Sequence, residues 1–391
     1  MKVVCAPDSY KEALSAVDAA AALARGVRGV LPSADVVELP VADGGEGTTE
    51  TLMEAMGGQL IAVDITDALG RPRTAALGWV ASERFAVVDV AQGAGLHHIE
   101  VELRDPYRSC SSGVGHLVSA ALDLDPRRVV IGLGGSATND GGAGMISALG
   151  GRLLDSNRRP VTPTPEGMNN VASLDLSELD PRLAGVEVIL ASDVTNPLLG
   201  PDGATAVFGP QKGVTPARVP VIETVLAGWA DVLETATGRE VRNLPGAGAA
   251  GGLGAAFLAL TGATLRPGLD VVAEAVGLEE AVRDADLVLT GEGRIDGQTR
   301  FGKTPWGVAE IARRHGVPVV MLGGEVRPEG RALIDDTIVA VEPIHTGYTD
   351  LDEALANTGA DLEQAAASAV ERIRWRRGVV GDGARLDTLF P

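Results

Sequence analysis

Three of the chain's four lysines stand in short polar loops. Lys11 follows Pro7-Asp8-Ser9-Tyr10, Lys212 closes Phe208-Gly-Pro-Gln-Lys212-Gly213, and Lys303 opens Lys303-Thr304-Pro305. Every other member of the 33 basic residues except Lys2 is arginine. A compact ammonium suits a phosphate or carboxylate that needs a point charge rather than a planar fork. Acids recur in loops of the same kind: Asp43 before Gly44-Gly45-Glu46, Asp140 before Gly141-Gly142, Asp193 before Val-Thr-Asn196, and Glu292 with Asp296 in GEGRID. A carboxylate that orients a hydroxyl, acids for a divalent cation, and ammoniums with backbone N–H groups for phosphates are the parts phosphoryl transfer requires. Asp193 fits the orienting carboxylate, with an Asx turn closing a strand as the competing reading. Asp43 and Glu46 carry the same ambiguity, because Glu46 would also favour a helix N-terminus.

Glycine patterns point the same way. The segment GLGGSATNDGGAGM (132–145) follows an apolar run and leads into another. Gly134 and Gly135 let backbone approach a ligand, Ser136, Thr138 and Asn139 add neutral donors, and Asp140 is a metal candidate. Gly297 to Thr304 also reads GxxxxGK followed by threonine, the P-loop pattern. That loop needs to leave a strand directly and enter a helix at the lysine. The apolar run stops near Thr290, so a P-loop is not expected. Lys303 still meets anions, because Pro305 places it at a helix start. The stretch GAGAAGG (246–252) lacks a preceding strand and is expected to pack backbone closely at a domain contact rather than bind a dinucleotide. His116 is read as a helix-surface or core residue rather than a general base.

These loops need a scaffold. Strand-like KVVCA (2–6), a helix over about 12–30, DVVEL (35–39) and a helix over about 47–57 open the chain in βαβα order. Three β-branched segments between 59 and 91 then favour antiparallel pairing. Apolar runs at 129–133 and 186–191 follow, and βα rhythm returns from 285 to a final helix over about 359–375. The polar loops fall at the carboxyl ends of the strands, where doubly wound sheets bind ligands. We expect one α/β domain from 1–65 plus 280–391 and a second domain, 66–279, inserted in it; a linear split near 180 is the alternative.

Composition narrows the partners. A formal net charge of -20 argues against nucleic acid and anionic membrane surfaces. Two cysteines, Cys5 and Cys110, build neither a disulfide framework nor a four-cysteine zinc site. The five histidines show no metal-binding spacing. No leader-like segment opens the chain and no apolar run spans a bilayer, so a cytoplasmic enzyme of small molecules is expected.

Taken together, the loops resemble the class I glycerate kinase family. The resemblance rests on APDSYKEALSA (6–16), PVADGGEGT (40–48), GLGGSATNDGGAGM (132–145), ASDVTNPLLGPDGA (191–204), FGPQKG (208–213), GAGAAGGLGAA (246–256), LTGEGRIDGQT (289–299) and GKTPWGVA (302–309). It spans nearly the whole chain. It implies a Rossmann-like parallel-sheet domain with an inserted α/β domain and an active-site cleft between them. The implied reaction moves the γ-phosphoryl of ATP to D-glycerate with Mg²⁺, giving 2-phosphoglycerate. Under this reading Asp193, Lys11 and Asp8 are catalytic. Ser9, Asp43, Gly44, Ser111, Ser112 and Asn196 bind substrate. Gly134, Gly135, Ser136, Thr138, Asn139, Lys212 and Lys303 contact nucleotide or phosphate, and Asp140 and Glu292 bind magnesium. Glu12 departs from the family's usual glycine, and Ser109-Cys110-Ser111-Ser112 from a threonine-rich stretch. Another small hydroxy acid as acceptor, or a non-catalytic hydroxy-acid sensor, are the alternative functions. Monomer and homodimer both stay open.

Overall fold

The computed structural model describes residues 1–45, 47–345, 347–348 and 350–380; Glu46 lies outside them. In chain order the described strands are β1 (Lys2–Cys5), β2 (Asp35–Glu38), β3 (Gln59–Thr66), β4 (Pro72–Val80) and β5 (Phe85–Asp89). They continue with β6 (Arg128–Gly132), β7 (Arg152–Leu154), β8 (Ser173–Asp175), β9 (Glu187–Ala191) and β10 (Thr264–Arg266). The last are β11 (Leu287–Ile295), β12 (Val319–Val326) and β13 (Ile338–Pro343). The chain separates into two compact units. One comprises Met1–Asp43, Glu54–Met56 and the described residues from Leu269 onward; the other comprises Gly44–Met53 and Gly57–Gly268.

The first unit is a wholly parallel five-stranded sheet in the order β13-β12-β11-β1-β2. Val3, Val4 and Cys5 of β1 and Leu287 to Leu289 of β11 are all buried, without alternation. Such runs mark parallel strands covered on both faces. Chain order reverses between β1 and β11, which is the switch point where sheets of this order bind ligands. The helix Ala16–Val30 begins at Ser15, whose Oγ accepts from the Asp18 amide at 3.0 Å. Its Leu23 and Val27 share a core with Leu362 and Val370 of the helix Leu351–Val380. Gly26 makes that approach close: a Cβ there would lie 2.2 Å from the Glu363 carbonyl oxygen.

The first helix starts later than about residue 12 because residues 10–14 form a tight turn, with the Tyr10 amide donating to the Leu14 carbonyl. Glu12 in that turn has φ 66°, a left-handed conformation costing an ordinary residue about 1–2 kcal/mol. This is the physical reason a glycine suits the position. Glu12→Gly should therefore be more stable than Glu12→Val by about 1–2 kcal/mol or more in urea unfolding. Equal midpoints for the two variants would contradict the assigned turn.

The second unit holds a six-stranded mixed sheet in the order β10-β9-β6-β5-β4-β3. β3, β4 and β5 pair antiparallel, whereas β5, β6, β9 and β10 run parallel. The segment 59–65, expected in the first domain, is therefore the edge strand of this sheet: β3 pairs with β4 along its whole length, from Gln59↔Trp79 to Thr66↔Pro72. Conversely, 269–279 groups with the first unit. Trp229, Phe257, Met145, Ile131 and Leu117 are central to the core beneath the sheet. β7 and β8 form a separate antiparallel pair.

Candidate active site

In the first unit, the polar residues gather beyond the carboxyl end of β1 and along the last residues of β11. The Asp8 amide donates to the Gly291 carbonyl at 2.9 Å, tying the two strand ends together. Gly291 has no room for a side chain, since a Cβ would lie 2.3 Å from the Tyr10 hydroxyl and 2.1 Å from the Leu322 carbonyl oxygen. The Asp8 carboxylate accepts from the Ser9 amide at 2.6 Å and from the Thr304 hydroxyl. Burial, with the nearby Asp43 charge, pushes its pKa up to about 6. Glu292, one strand away, accepts from the Thr299 hydroxyl at 2.9 Å and faces the Lys303 ammonium at 3.3 Å. Burial raises its pKa to about 7 despite that lysine, and the Asp8 charge adds to the rise. Asp43 is exposed, as is Lys11 on the turn after β1. Burial first, and a neighbouring carboxylate second, thus disfavour the ionised forms of Asp8 and Glu292, which is the electrostatic condition a cation relieves.

Those raised carboxyls have a measurable consequence. A carboxyl whose pKa rises on folding holds more protons in the native state, so its contribution to stability falls as pH climbs from the ordinary carboxylate range through the raised value. For Glu292 that window is about pH 4.5 to 7. Glu292→Gln removes the term, so its melting temperature relative to the parent should rise across this window. A pH-independent difference would contradict the burial of an ionisable Glu292.

Thr299 and Thr304 complete this cluster, although nothing in their type alone singled them out. Thr304 follows Lys303 and Thr299 stands three residues after Asp296, but only the fold brings each hydroxyl onto a carboxylate. The P-loop pattern needs correction on one point. Pairing with β12 extends β11 through Ile295, so the loop does leave a strand almost directly. It is nevertheless no anion cradle. The Asp296, Gln298 and Thr299 amides bond to Thr299 Oγ1, Asp296 Oδ1 and the Asp296 carbonyl within the loop. Lys303 precedes the helix Thr304–Arg314 as its N-cap and binds Glu292 and the Arg294 carbonyl.

In the second unit, the glycine-rich loop leaves β6 beside the ends of β5 and β9. Gly135 has φ 70°, and a Cβ on Gly134 would reach 3.0 Å from Gly45 Cα. Gly44 is equally confined, with φ 84° and Gly268 Cα only 2.9 Å from where a Cβ would stand. Lys212 is buried and donates to Ser136 Oγ at 2.7 Å and the Thr138 carbonyl at 2.8 Å. Burial pulls its pKa down to about 7, opposed by the Asp140 charge. In this structure it braces the loop from inside. Asn139 is also buried, donating to Thr205 Oγ1 at 3.0 Å.

Asp140 and Ser111 are held in the same way. The Asp140 carboxylate is fully buried and accepts from the Ser111 amide and hydroxyl and from the Gly142 and Gly144 amides. Its acceptors are thus committed to the loop. Ser111 Oγ also accepts from the Met145 amide at 3.0 Å, so its O–H is committed to Asp140 and its oxygen to the loop backbone. Ser112 Oγ sits 3.1 Å from Thr66 Oγ1. Asp193 is exposed two residues beyond β9, and Asn196 donates to the Asp202 carbonyl at 2.8 Å. The segment 246–252 packs closely, as expected, but against this loop rather than at a domain contact. A Cβ on Gly251 would lie 2.0 Å from the Thr138 carbonyl oxygen, and the Gly141 amide donates to the Gly251 carbonyl.

Comparison with known proteins decides the family. The glycerate kinase family model matches residues 3–374. The chain belongs to the glycerate kinase family. It is 46% identical to glycerate kinase of Bacillus subtilis (strain 168) over 96% of this chain and 98% of that protein. It is 43% identical to glycerate 2-kinase of Escherichia coli (strain K12), covering 90% and 93% of the two chains. A crystal structure of a candidate glycerate kinase 2 from Salmonella typhimurium LT2 superposes with TM-score 0.89 at 42% identity, over 97% of this chain and 99% of that one. The likeness covers both units, so this glycerate kinase family member carries the loops of each. No helix among its described residues is long and apolar enough to cross a membrane.

Proposed function

We propose that the protein transfers the γ-phosphoryl group of ATP to the 2-hydroxyl of D-glycerate, giving 2-phosphoglycerate and ADP, with Mg²⁺. The observation that carries this reading is the near-full-length likeness to a protein named glycerate 2-kinase. The two polar clusters support it, since each supplies a part of the chemistry.

In the first unit, Asp8, Asp43 and Glu292 are the residues that would hold magnesium. Their mutual charge and the raised pKa values of Asp8 and Glu292 fit a cation there. Among the described residues no three such side chains converge on one ion position. Magnesium, however, ordinarily keeps several waters and takes one or two protein carboxylates plus phosphate oxygens. When bound it neutralises charge on the transferring phosphoryl. Lys303, at the N-cap of its helix, offers phosphate an ammonium together with the helix N-terminus. Lys11 is exposed and screens charge on the donor or on the acceptor carboxylate. Ser9 donates to Asp8 and holds it in place.

In the second unit, Asp193 orients the acceptor hydroxyl and takes up its proton as the new P–O bond forms. Gly44, Ser112 and Asn196 complete the acceptor subsite. The backbone of Gly134 and Gly135 contacts phosphate, while Ser136, Thr138 and Asn139 keep that backbone in shape through Lys212 and Thr205.

A coupled assay of ADP formation on D-glycerate, followed by phosphorus NMR of the product, tests donor, acceptor and regiochemistry together. A 2-phosphoglycerate signal is expected. A 3-phosphoglycerate product would refute the hydroxyl assignment, and turnover faster on another hydroxy acid would replace the acceptor.

A further inference from the structure

The carboxyl ends of β12 and β13 and the start of the helix Leu351–Val380 border an open cavity of about 420 Å³ within the first unit. Its walls combine apolar Val326, Pro343 and Leu351 with the rings of His345 and Tyr348 and the carboxylate of Asp350. Leu351 is 68% exposed, an apolar side chain at the mouth. The two rings meet edge to face, 5.3 Å apart at 85°. Behind them, His345 Nδ1 lies 3.5 Å from Asp361 Oδ2, and neither atom has a hydrogen-bond partner among the described residues. The Tyr348 hydroxyl reaches Asp361 Oδ1 at the same outer limit of hydrogen bonding.

This chemistry selects its occupant. Among the described residues no lysine or arginine lines the cavity, and the lining Glu325 is neutralised by Arg294 and Arg327, each at 2.7 Å. A phosphate would find no lysine or arginine in that lining to pair with. A flat, neutral group with hydroxyl or amine donors would find apolar walls, aromatic rings and a carboxylate acceptor. The volume is far more than a three-carbon acid fills, so the acceptor is not the occupant. Position supplies the rest. β13 lies two strands from β11, hence about 10 Å across the sheet from Glu292 and Lys303, and at the same carboxyl edge. That is the order of separation between a nucleoside and the terminal phosphate it carries.

We propose that this cavity binds the base and ribose of the phosphoryl donor, with its phosphates extending along the carboxyl edge of the sheet toward Lys303. The inference rests on the nucleotide-dependent kinase reading and assigns the nucleoside to the first unit. Calorimetric titration of the full chain with ADP, and separately with inorganic tripolyphosphate, tests it in Leu351→Glu and Tyr348→Ala. The first substitution alters an exposed side chain and so spares the fold, which a thermal melt verifies. ADP affinity should fall at least tenfold in both variants, while tripolyphosphate affinity stays within twofold of the parent. ADP affinity unchanged in both, or tripolyphosphate affinity lost in parallel with it, would overturn the proposal. Turnover on ATP and glycerate separates the two readings. Normal turnover with an unchanged KM for ATP in both variants removes the cavity and leaves the kinase. ADP binding that needs the cavity, without glycerate-dependent ADP formation, removes the kinase and leaves the cavity.

Discussion

Asp193→Asn should lower kcat on D-glycerate by about 10³-fold while leaving the melting temperature unchanged. The rate effect follows from the role. An amide keeps the size and one acceptor of the carboxylate but cannot take a proton, and a positioned base contributes roughly 10² to 10⁴ to a rate. Stability should hold because Asp193 is exposed and outside any helix or strand. Surface substitutions of that kind stay within about 0.5 kcal/mol. KM for ATP should change little, because the role lies on the acceptor side. Steady-state kinetics with a calorimetric melt checks all three expectations. A kcat within a fewfold of the parent, in a protein that melts normally, would remove Asp193 from the mechanism.

Gly251→Ala should have the second large effect, on the architecture of the loop itself. Its φ of 68° already disfavours a Cβ, and that atom would lie 2.0 Å from the Thr138 carbonyl oxygen and 2.8 Å from Asn139 Cα. Backbone cannot rotate away as a flexible side chain can. Relief would require moving the very segment that Lys212, Asp140 and the Gly141 amide hold in place. A loss of about 3 kcal/mol or more is expected, together with collapse of activity. Gly238→Ala is the matched comparison, since Gly238 has the same φ of 68° with nothing among the described residues within 4 Å of its added methyl. It should cost only about 1 kcal/mol, the conformational part alone. Similar losses in the two variants would show that the close contact with Thr138 is not what constrains Gly251.

The loops were legible because their chemistry is local. A strand of continuous apolar residues followed by glycine, acid and lysine announces both where the chain turns and what it offers there. The placement of Asp8, Lys11 and Asp43 in the loops after β1 and β2 needed only that periodicity, whereas Glu292 lies within β11 itself. The family resemblance marked Glu12 as standing where a glycine is usual, and its φ of 66° supplies the reason.

Which polar groups stay available for a ligand was not local. Lys212, Asp140 and Ser111 carry the same residue types as the candidates that remain, yet they are committed to one another and to backbone amides inside the second unit. The same holds for β3, whose alternating pattern identified a strand but not its sheet, and for β11, whose last five residues are held extended by pairing with β12 rather than by their own preferences. Side-chain type and spacing set what a residue is able to do. Burial and long-range pairing, which arise only when distant segments meet, set whether it remains free to do it.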